Sequence, residues 1–508
     1  MNKMKTVIVL IAVTMMIGVT YADEGNVSDN ETLTMGTLTT TGVMAQNNVD
    51  GHYGVTEYDN ATSCDVCHKG PSKDFATSIH NTWTNGETGK LQGVNDFCGT
   101  VGSNEGMCGK CHGGFGLPTA DFSPEQTDCL ICHAPNYKKT AFGPDPSNDY
   151  SEIMPGIGAP EREYCLRCHA NAGGGNNRKR GDLELAMGAE VVSPDLDVHM
   201  AADMVCQDCH TFDDEHHVAG QGMDLRVADS DKIVTCDGCH NVAEPPHKTS
   251  MYNEHMDKIA CTTCHIVEYG KVEPAETARN WEKAFIPGML TKEQNAKPEY
   301  AWWDRTQDVM NLGDPAIIGP DGTVSVSTPG GAIDNPYSKI YAVRRHTCRQ
   351  PWDGEKLIGY HVPTVKSSSN GAAGIPGDMA LGISVTQGIP VEDVDFSWVD
   401  TSRTLGLFHG VAPAEDALRC DDCHYDQSLD FEALGYEVVK DGSGNIIDAH
   451  KVGSSWNLVA IVADSDGGST ARVIGDVNGD GKVNIADGTL LFNWISYPNE
   501  RGTTYILR

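Results

Sequence analysis

Eight segments of this chain share one arrangement of reactive side chains: two cysteines three positions apart, followed at once by a histidine. They are Cys64, Cys67 and His68; Cys108, Cys111 and His112; Cys129, Cys132 and His133; Cys165, Cys168 and His169; Cys206, Cys209 and His210; Cys236, Cys239 and His240; Cys261, Cys264 and His265; and Cys420, Cys423 and His424. Together they use sixteen of the 18 cysteines. Two thiols at this spacing add to the two vinyl groups of one porphyrin, and the histidine that follows turns beneath the ring to ligate its iron. Each segment therefore predicts one covalently bound haem c, eight in all. Zinc needs two cysteine pairs, or a pair with distant histidines, converging on one ion. Neither zinc nor a disulfide framework explains a histidine after every second cysteine.

Eleven histidines remain: His52, His80, His199, His216, His217, His247, His255, His346, His361, His409 and His450. An iron with two histidines is saturated and suits electron transfer, whereas a weak or open second position can take a substrate. Eleven candidates exceed eight irons, so the count alone leaves the number of saturated irons open.

The elements that position these groups must be short. Successive motifs start no more than 44 residues apart from Cys64 to Cys261, which leaves room for one helix or loop per haem; the next interval, to Cys420, is 159 residues. The expected fold class is a multihaem cytochrome c, mostly α and irregular, with a haem-packed core and few short strands. Within the long interval, residues 318 to 400 are rich in Gly, Pro and Ser and read as loops with short strands. The expected division is a signal peptide at 1–22, a flexible leader at 23–60, an octahaem domain at 61–440, a linker at 441–473 and a calcium-binding segment at 474–508.

Lys3 and Lys5, the apolar run from Val7 to Val19 and the small-residue exit at Ala22 form a secretory signal. The run is short for a membrane span, which needs roughly 20 apolar residues. An exported protein without a transmembrane anchor is expected, periplasmic or extracellular. The formal charge is −34, and loss of the two signal lysines takes it to −36. Nucleic acid and anionic membrane surfaces are poor partners for such a chain. With 39% hydrophobic residues, 55 glycines and 24 prolines, the polypeptide core is thin, and haems supply the missing apolar volume. Asn26, Asn30 and Asn60 open glycosylation sequons.

The C-terminal string GDVNGDGKVNIAD sets Asp476, Asn478, Asp480, Lys482 through its carbonyl, Asn484 and Asp487 at the ligand positions of a calcium loop, with Gly481 at the sharp turn. A helix carrying Leu490, Leu491 and Trp494 on one face follows. The segment is similar to one repeat of a type I dockerin, an EF-hand-like module. The resemblance implies a cohesin-type docking partner; a structural calcium clasp is the alternative, since dockerins carry two repeats and one is present.

Between residues 60 and 430 the chain resembles the octahaem tetrathionate reductase family. The strings that carry the resemblance are SIHNTW, SNEGMCGKCHGGFG, TDCLICH with NYKK, GGGNNRKRGDL, DLDVHM, CQDCH, EPPHK, NEHMDKIACTTCH, KPEYAWW, KIYAVRRH with QPWD, and HGVAPAEDALRCDDCH. The family implies seven haems with two histidines, with distal candidates His80, His199, one of His216 and His217, His247, His255, His346 and His409. It implies a lysine on the second haem, here Lys138 or Lys139 opposite His112. A lysine ligates only when neutral, so its site must be buried, and protonation offers a way to release it. Cys98 falls at the family's lone cysteine near that haem. Cys348 is absent from the family string, and the two leftover cysteines either pair as an extracellular Cys98–Cys348 disulfide or stay free thiols. The family's lysine in the same string is Arg349 here.

The resulting expectation is an exported oxidoreductase that takes electrons from redox partners such as other cytochromes. It reduces a small inorganic substrate (nitrite, hydroxylamine or tetrathionate) at the lysine-ligated haem, with Lys138, Lys139, His112 and Cys98 as the catalytic set. The alternatives are an electron conduit with every iron saturated, or a hydroxylamine-oxidising enzyme; no tyrosine, Tyr436 included, is marked for the haem cross-link the latter needs.

Overall fold

A computed structural model describes residues 52–82, 104–111, 123–140, 142–213, 216–220, 222–223, 229–240, 246–248, 250–311, 313–424, 428–440, 446–450, 459–463 and 469–473. The signal sequence, Cys98, His112 and the calcium-loop positions Asp476, Asn478, Asp480, Lys482, Asn484 and Asp487 lie outside these residues.

From residue 52 to 265 the described elements are short. The motifs themselves form helices such as Leu130–His133, Arg162–His169 and Cys261–His265. A helix of four to eight residues cannot sustain itself in water, because nucleation costs more than one or two turns return. Side-chain caps and buried carboxylates hold these helices instead. Asn60 accepts from Thr62 N at the start of Ala61–Asp65, and Asp197 accepts from His199 N and Met200 N at the start of Val198–Ala201. Among the described residues, two small apolar clusters serve the region: Tyr58, Leu130, Ala134, Tyr137, Ile153 and Met154, and Leu166, Ala170, Met187, Val192 and Leu196. Tyr58 is buried within the first, so the folded domain begins before residue 60, where a flexible leader was expected.

The interval before the last motif holds a seven-stranded mixed sheet, where loops with short strands were expected. Its strands are β1 (Ala275–Asn280), β2 (Leu290–Glu293), β3 (Glu299–Trp303), β4 (Gln307–Val309), β5 (Val324–Pro329), β6 (Lys339–Trp352) and β7 (Ser397–Gly406). The order is β2-β1-β6-β7-β5-β4, and β3 also pairs with β6. β6 and β7 are antiparallel from Val343 opposite Gly406 to Trp352 opposite Ser397, while β1 joins β6 in parallel and β5 joins β7 in parallel. Trp281, Val324, Val326, Tyr360, Val365, Ile383 and Val399 belong to the largest apolar cluster beside it. Burying each such side chain contributes about 1.5–3 kcal/mol.

β6 alternates as a strand should, burying Ile340, Ala342, Arg344, His346, Cys348 and Gln350. Half of that buried face is polar, which is why a hydropathy reading passes over it. Beyond the last motif, the segment expected to be a linker contains strands Ile446–His450, Val459–Ala463 and Ser469–Val473. Among the described residues no helix is long and apolar enough to cross a membrane.

Candidate haem sites and the second motif

Among the described residues, six motif histidines face a second imidazole. The pairs are His68 with His52, His133 with His216, His169 with His80, His210 with His409, His240 with His199, and His265 with His247, with ring centres 6.1–6.4 Å apart. An imidazole nitrogen binds a transition metal at about 2 Å and the ring centre sits about 1 Å behind it, so two imidazoles across one iron have centres about 6 Å apart.

The protonation states fit the same role. Burial lowers the pKa of His52, His80, His133, His210, His216 and His265, and takes His169 down to about 3, so these rings are neutral. A ligating imidazole also engages its other nitrogen, which fixes the tautomer. His133 Nδ1 lies 2.9 Å from Gly158 O, His210 Nδ1 3.0 Å from Ala219 O, His247 Nδ1 3.1 Å from Asn253 Oδ1 and His409 Nδ1 3.0 Å from Asp182 Oδ2. Each leaves Nε2 for a metal.

His216 and His217 are now distinguishable. His216 faces His133, whereas His217 has Nδ1 3.1 Å from Asp229 Oδ1 and Nε2 3.1 Å from Thr77 Oγ1, so both its nitrogens are taken. His346, expected among the distal ligands, is placed differently: its Nε2 lies 3.3 Å from Glu276 Oε1 inside the sheet. His52, outside the expected set, stands opposite His68. His255 ends the helix Ser250–His255, and His424 ends Cys420–His424.

Buried aspartates hold the segments that carry these second imidazoles, a role the sequence reading missed. Asp182 Oδ2 accepts from the backbone N–H groups of Phe408 and His409. Asp197, which caps the His199 helix, uses its other oxygen on Gly410 N and Val411 N at 2.7 and 3.0 Å. Asp229 accepts from Ile79 N, beside His80, and from Val218 N. Asp197 alone carried a legible signal, as an aspartate two residues before a histidine at a helix start.

The cysteines order the motifs in space. Cysteines of different motifs lie side by side, Cys64 by Cys129, Cys111 by Cys168, Cys165 by Cys206 and Cys236 by Cys261. Cys132 lies within electrostatic reach of Cys165 and Cys168, Cys209 of Cys239, and Cys264 of Cys420 and Cys423. The spatial order is first, third, fourth, fifth, sixth, seventh, eighth, with the second branching from the fourth.

At that branch the two lysines part. Lys138 is exposed, its backbone tied to the Asn148 side chain through Lys138 N (2.9 Å) and Lys138 O (2.7 Å). Lys139 begins the two-residue strand Lys139–Thr140, paired with Gly143–Pro144, and is buried among Asp128, Cys168, Cys132 and Cys111. Burial pulls its amine below the ordinary lysine pKa, against the opposing pull of Asp128. Cys111, beside Cys168, has Lys139 and Lys110 within electrostatic reach. Burial pushes the Asp128 carboxyl up to about 6, although Tyr58 Oη donates to it at 3.1 Å and the Tyr137 hydroxyl lies beside it. Cys348 is buried in β6.

The family described as "Cytochrome c bacterial" matches residues 269–427. A crystal structure of an octaheme cytochrome c from Shewanella oneidensis superposes with a TM-score of 0.65 at 28% identity, over 77% of this chain and 97% of that one. The protein is a multihaem cytochrome c. An uncharacterised protein of Archaeoglobus fulgidus is 28% identical to this cytochrome over 33% of the chain and 77% of the relative. Covalently bound haem c and a redox role follow from these likenesses together with the motifs and their facing imidazoles.

Proposed function

We propose that this cytochrome is an exported octahaem oxidoreductase that reduces a small nitrogen or sulfur compound at its second motif, with Lys139 as the distal ligand opposite His112. The haem would supply electrons and an iron position at which substrate binds. The observation that carries the reading is the burial of Lys139 beside Cys111 and Cys168, with its amine biased toward the neutral form, while Lys138 points to solvent. The other saturated positions belong to His52, His80, His199, His216, His247, His255 and His409, so seven histidines and one lysine serve eight motifs. Lys139 would be the displaceable ligand, and Asp128, held by Tyr58, is the carboxylate beside it that could settle an ammonium. Export to the periplasm or beyond, redox protein partners, calcium at Asp476–Asp487 and cohesin-type docking belong to the same proposal.

The unbroken order of thiol contacts favours a second reading, an electron conduit with no substrate of its own. Electron paramagnetic resonance of the oxidised holoprotein separates the two. Lys139→Ala is expected to change a signal that is not bis-histidine and to remove its response to nitrite or hydroxylamine, while Lys138→Ala leaves both intact. Spectra that are bis-histidine throughout and indifferent to either variant assign the conduit.

A further inference from the structure

The facing imidazoles differ in how their rings are turned. The ring planes cross at 73° for His133 with His216, 83° for His169 with His80 and 68° for His240 with His199. They lie closer to one plane for His68 with His52, at 14°, His265 with His247, at 15°, and His210 with His409, at 31°. An imidazole donates π density into the iron orbital that its ring faces. Two aligned rings raise the same orbital and stabilise the electron-poor ferric ion, so the site is harder to reduce. Crossed rings divide the donation between two orbitals and lose that stabilisation.

Among these pairs, the fifth motif adds a carboxylate to aligned rings. Asp182, with a fully buried side chain, accepts from His409 Nδ1 on Oδ2 at 3.0 Å. Arg180 Nε faces its Oδ1 and Arg180 Nη2 its Oδ2, both at 3.3 Å, which keeps the acid ionised. A negative acceptor on Nδ1 makes Nε2 a more basic ligand, and that also favours the ferric state. Elsewhere the acceptor is neutral, as at Gly158 O, Ala219 O and Asn253 Oδ1, or a carboxylate too distant: Asp197 lies 3.7 Å from His199 Nδ1 and Asp74 3.5 Å from His216 Nδ1. Asp229, near His80, engages Ile79 N, Val218 N and His217. The setting of the His409 ring is fixed from both sides. Asp182 holds Phe408 N and His409 N, while Gly410 is held through N by Asp197 and through O by Lys271 Nζ.

We propose that Asp182, acting through His409, gives the fifth motif a lower reduction potential than the fourth and sixth motifs beside it, and so divides the haem order into two electron reservoirs. One reservoir holds the first, third and fourth motifs with the second branching from it; the other holds the sixth, seventh and eighth. One electron moves at each step, the donor site oxidised as its neighbour is reduced, and no proton or co-reactant enters. An electron that has crossed the fifth site in either direction meets the same rise on the way back, so several can collect on one side before any is used. Asp182 touches neither iron nor substrate and is a positioning residue. The inference holds whether the second motif reduces a substrate or passes electrons onward.

Potentiometric titration of the holoprotein, followed by electron paramagnetic resonance, reads the order directly. Crossed imidazoles give a low-spin ferric signal with one large g value, and aligned ones an ordinary rhombic signal. His409→Met, His80→Met and His199→Met each remove one signal and so identify the fifth, fourth and sixth sites in the unsubstituted protein. The fifth signal is expected to disappear at a lower potential than the other two. Asp182→Asn keeps an oxygen for the Phe408 and His409 N–H groups but removes the charge. It should raise the fifth midpoint alone, by about tenfold in the ferrous-to-ferric ratio, or about 59 mV for one electron. A merely structural Asp182 would leave that midpoint in place. A fifth midpoint at or above those of the fourth and sixth overturns the proposal, as does an unchanged midpoint in Asp182→Asn with the low-spin signal retained. If Asp182→Asn loses His409 as a ligand or does not fold, the order of midpoints in the unsubstituted protein decides.

Discussion

Residues 275–406 carry a sheet with a large apolar cluster, a fourteen-residue strand and a buried charge network closed by Glu276. Residues 52–265 carry helices of four to eight residues, two small clusters and imidazoles that face one another. The first region holds itself by ordinary burial and cross-strand pairing. The second is organised around positions that only a metal and its porphyrin complete, because facing neutral imidazoles do not attract each other. Fold stability is thus polypeptide-borne in one region and cofactor-borne in the other.

The largest expected effect tests that contrast. Chain made without haem attachment should lose hydrogen-exchange protection across residues 52–265 and keep it across β6 and β7; uniform loss would show that the sheet depends on the haems as well. Next, Glu276→Ala in the holoprotein leaves Arg279 and His346 buried without their carboxylate, a cost of about 3–5 kcal/mol in denaturant titration. Ile340→Ala, at a buried position of β6, should cost about 2–5 kcal/mol. A smaller and purely local effect is expected in the motif region: His216→Ala should convert one bis-histidine signal, whereas His217→Ala should leave the spectrum unchanged.

The smallest effects concern pH, where the two regions respond in opposite directions. Burial alone would raise Glu276, but hydrogen bonds from His346 and Arg279 bring it from 4.5 down to about 2. Its stabilisation is complete above pH 4.5 and is lost as pH falls through about 2. Asp128 is raised by burial from 3.8 to about 6, so its contribution is complete below pH 3.8 and is lost as pH rises through about 6. Glu276→Gln should flatten the acid limb of the stability profile and Asp128→Asn the limb near pH 4–6. A profile left unchanged by either substitution would remove that carboxylate from the account.

Attachment was legible because thioether chemistry demands a fixed local spacing, and Cys64 through His424 display it without any tertiary context. Pairing was not, because His52, His80 and His409 meet their partners only through the fold. The lysine pair was half legible: NYKK marked the place, but strand alternation at the hairpin buries Lys139 and exposes Lys138, and a two-residue strand leaves no period to read. The sheet was missed because Arg344, His346 and Gln350 occupy positions where a buried strand normally shows aliphatic residues. The carboxylate beside His346 was not legible for a related reason. A buried histidine can be satisfied by a carboxylate as well as by a metal, and Glu276 lies seventy positions away in sequence.

His409 follows directly on the end of β7, and its partner His210 lies before β1 begins. In a chain that threads outward from its N-terminus, His68 and His265 meet their partners from nearby sequence as they emerge, but the fifth site must wait until the sheet has formed and presented its last strand. Completion of that site is therefore a checkpoint on assembly: a molecule whose sheet has misfolded carries one incompletely ligated iron in the middle of its haem order, visible by spectroscopy before any activity is measured.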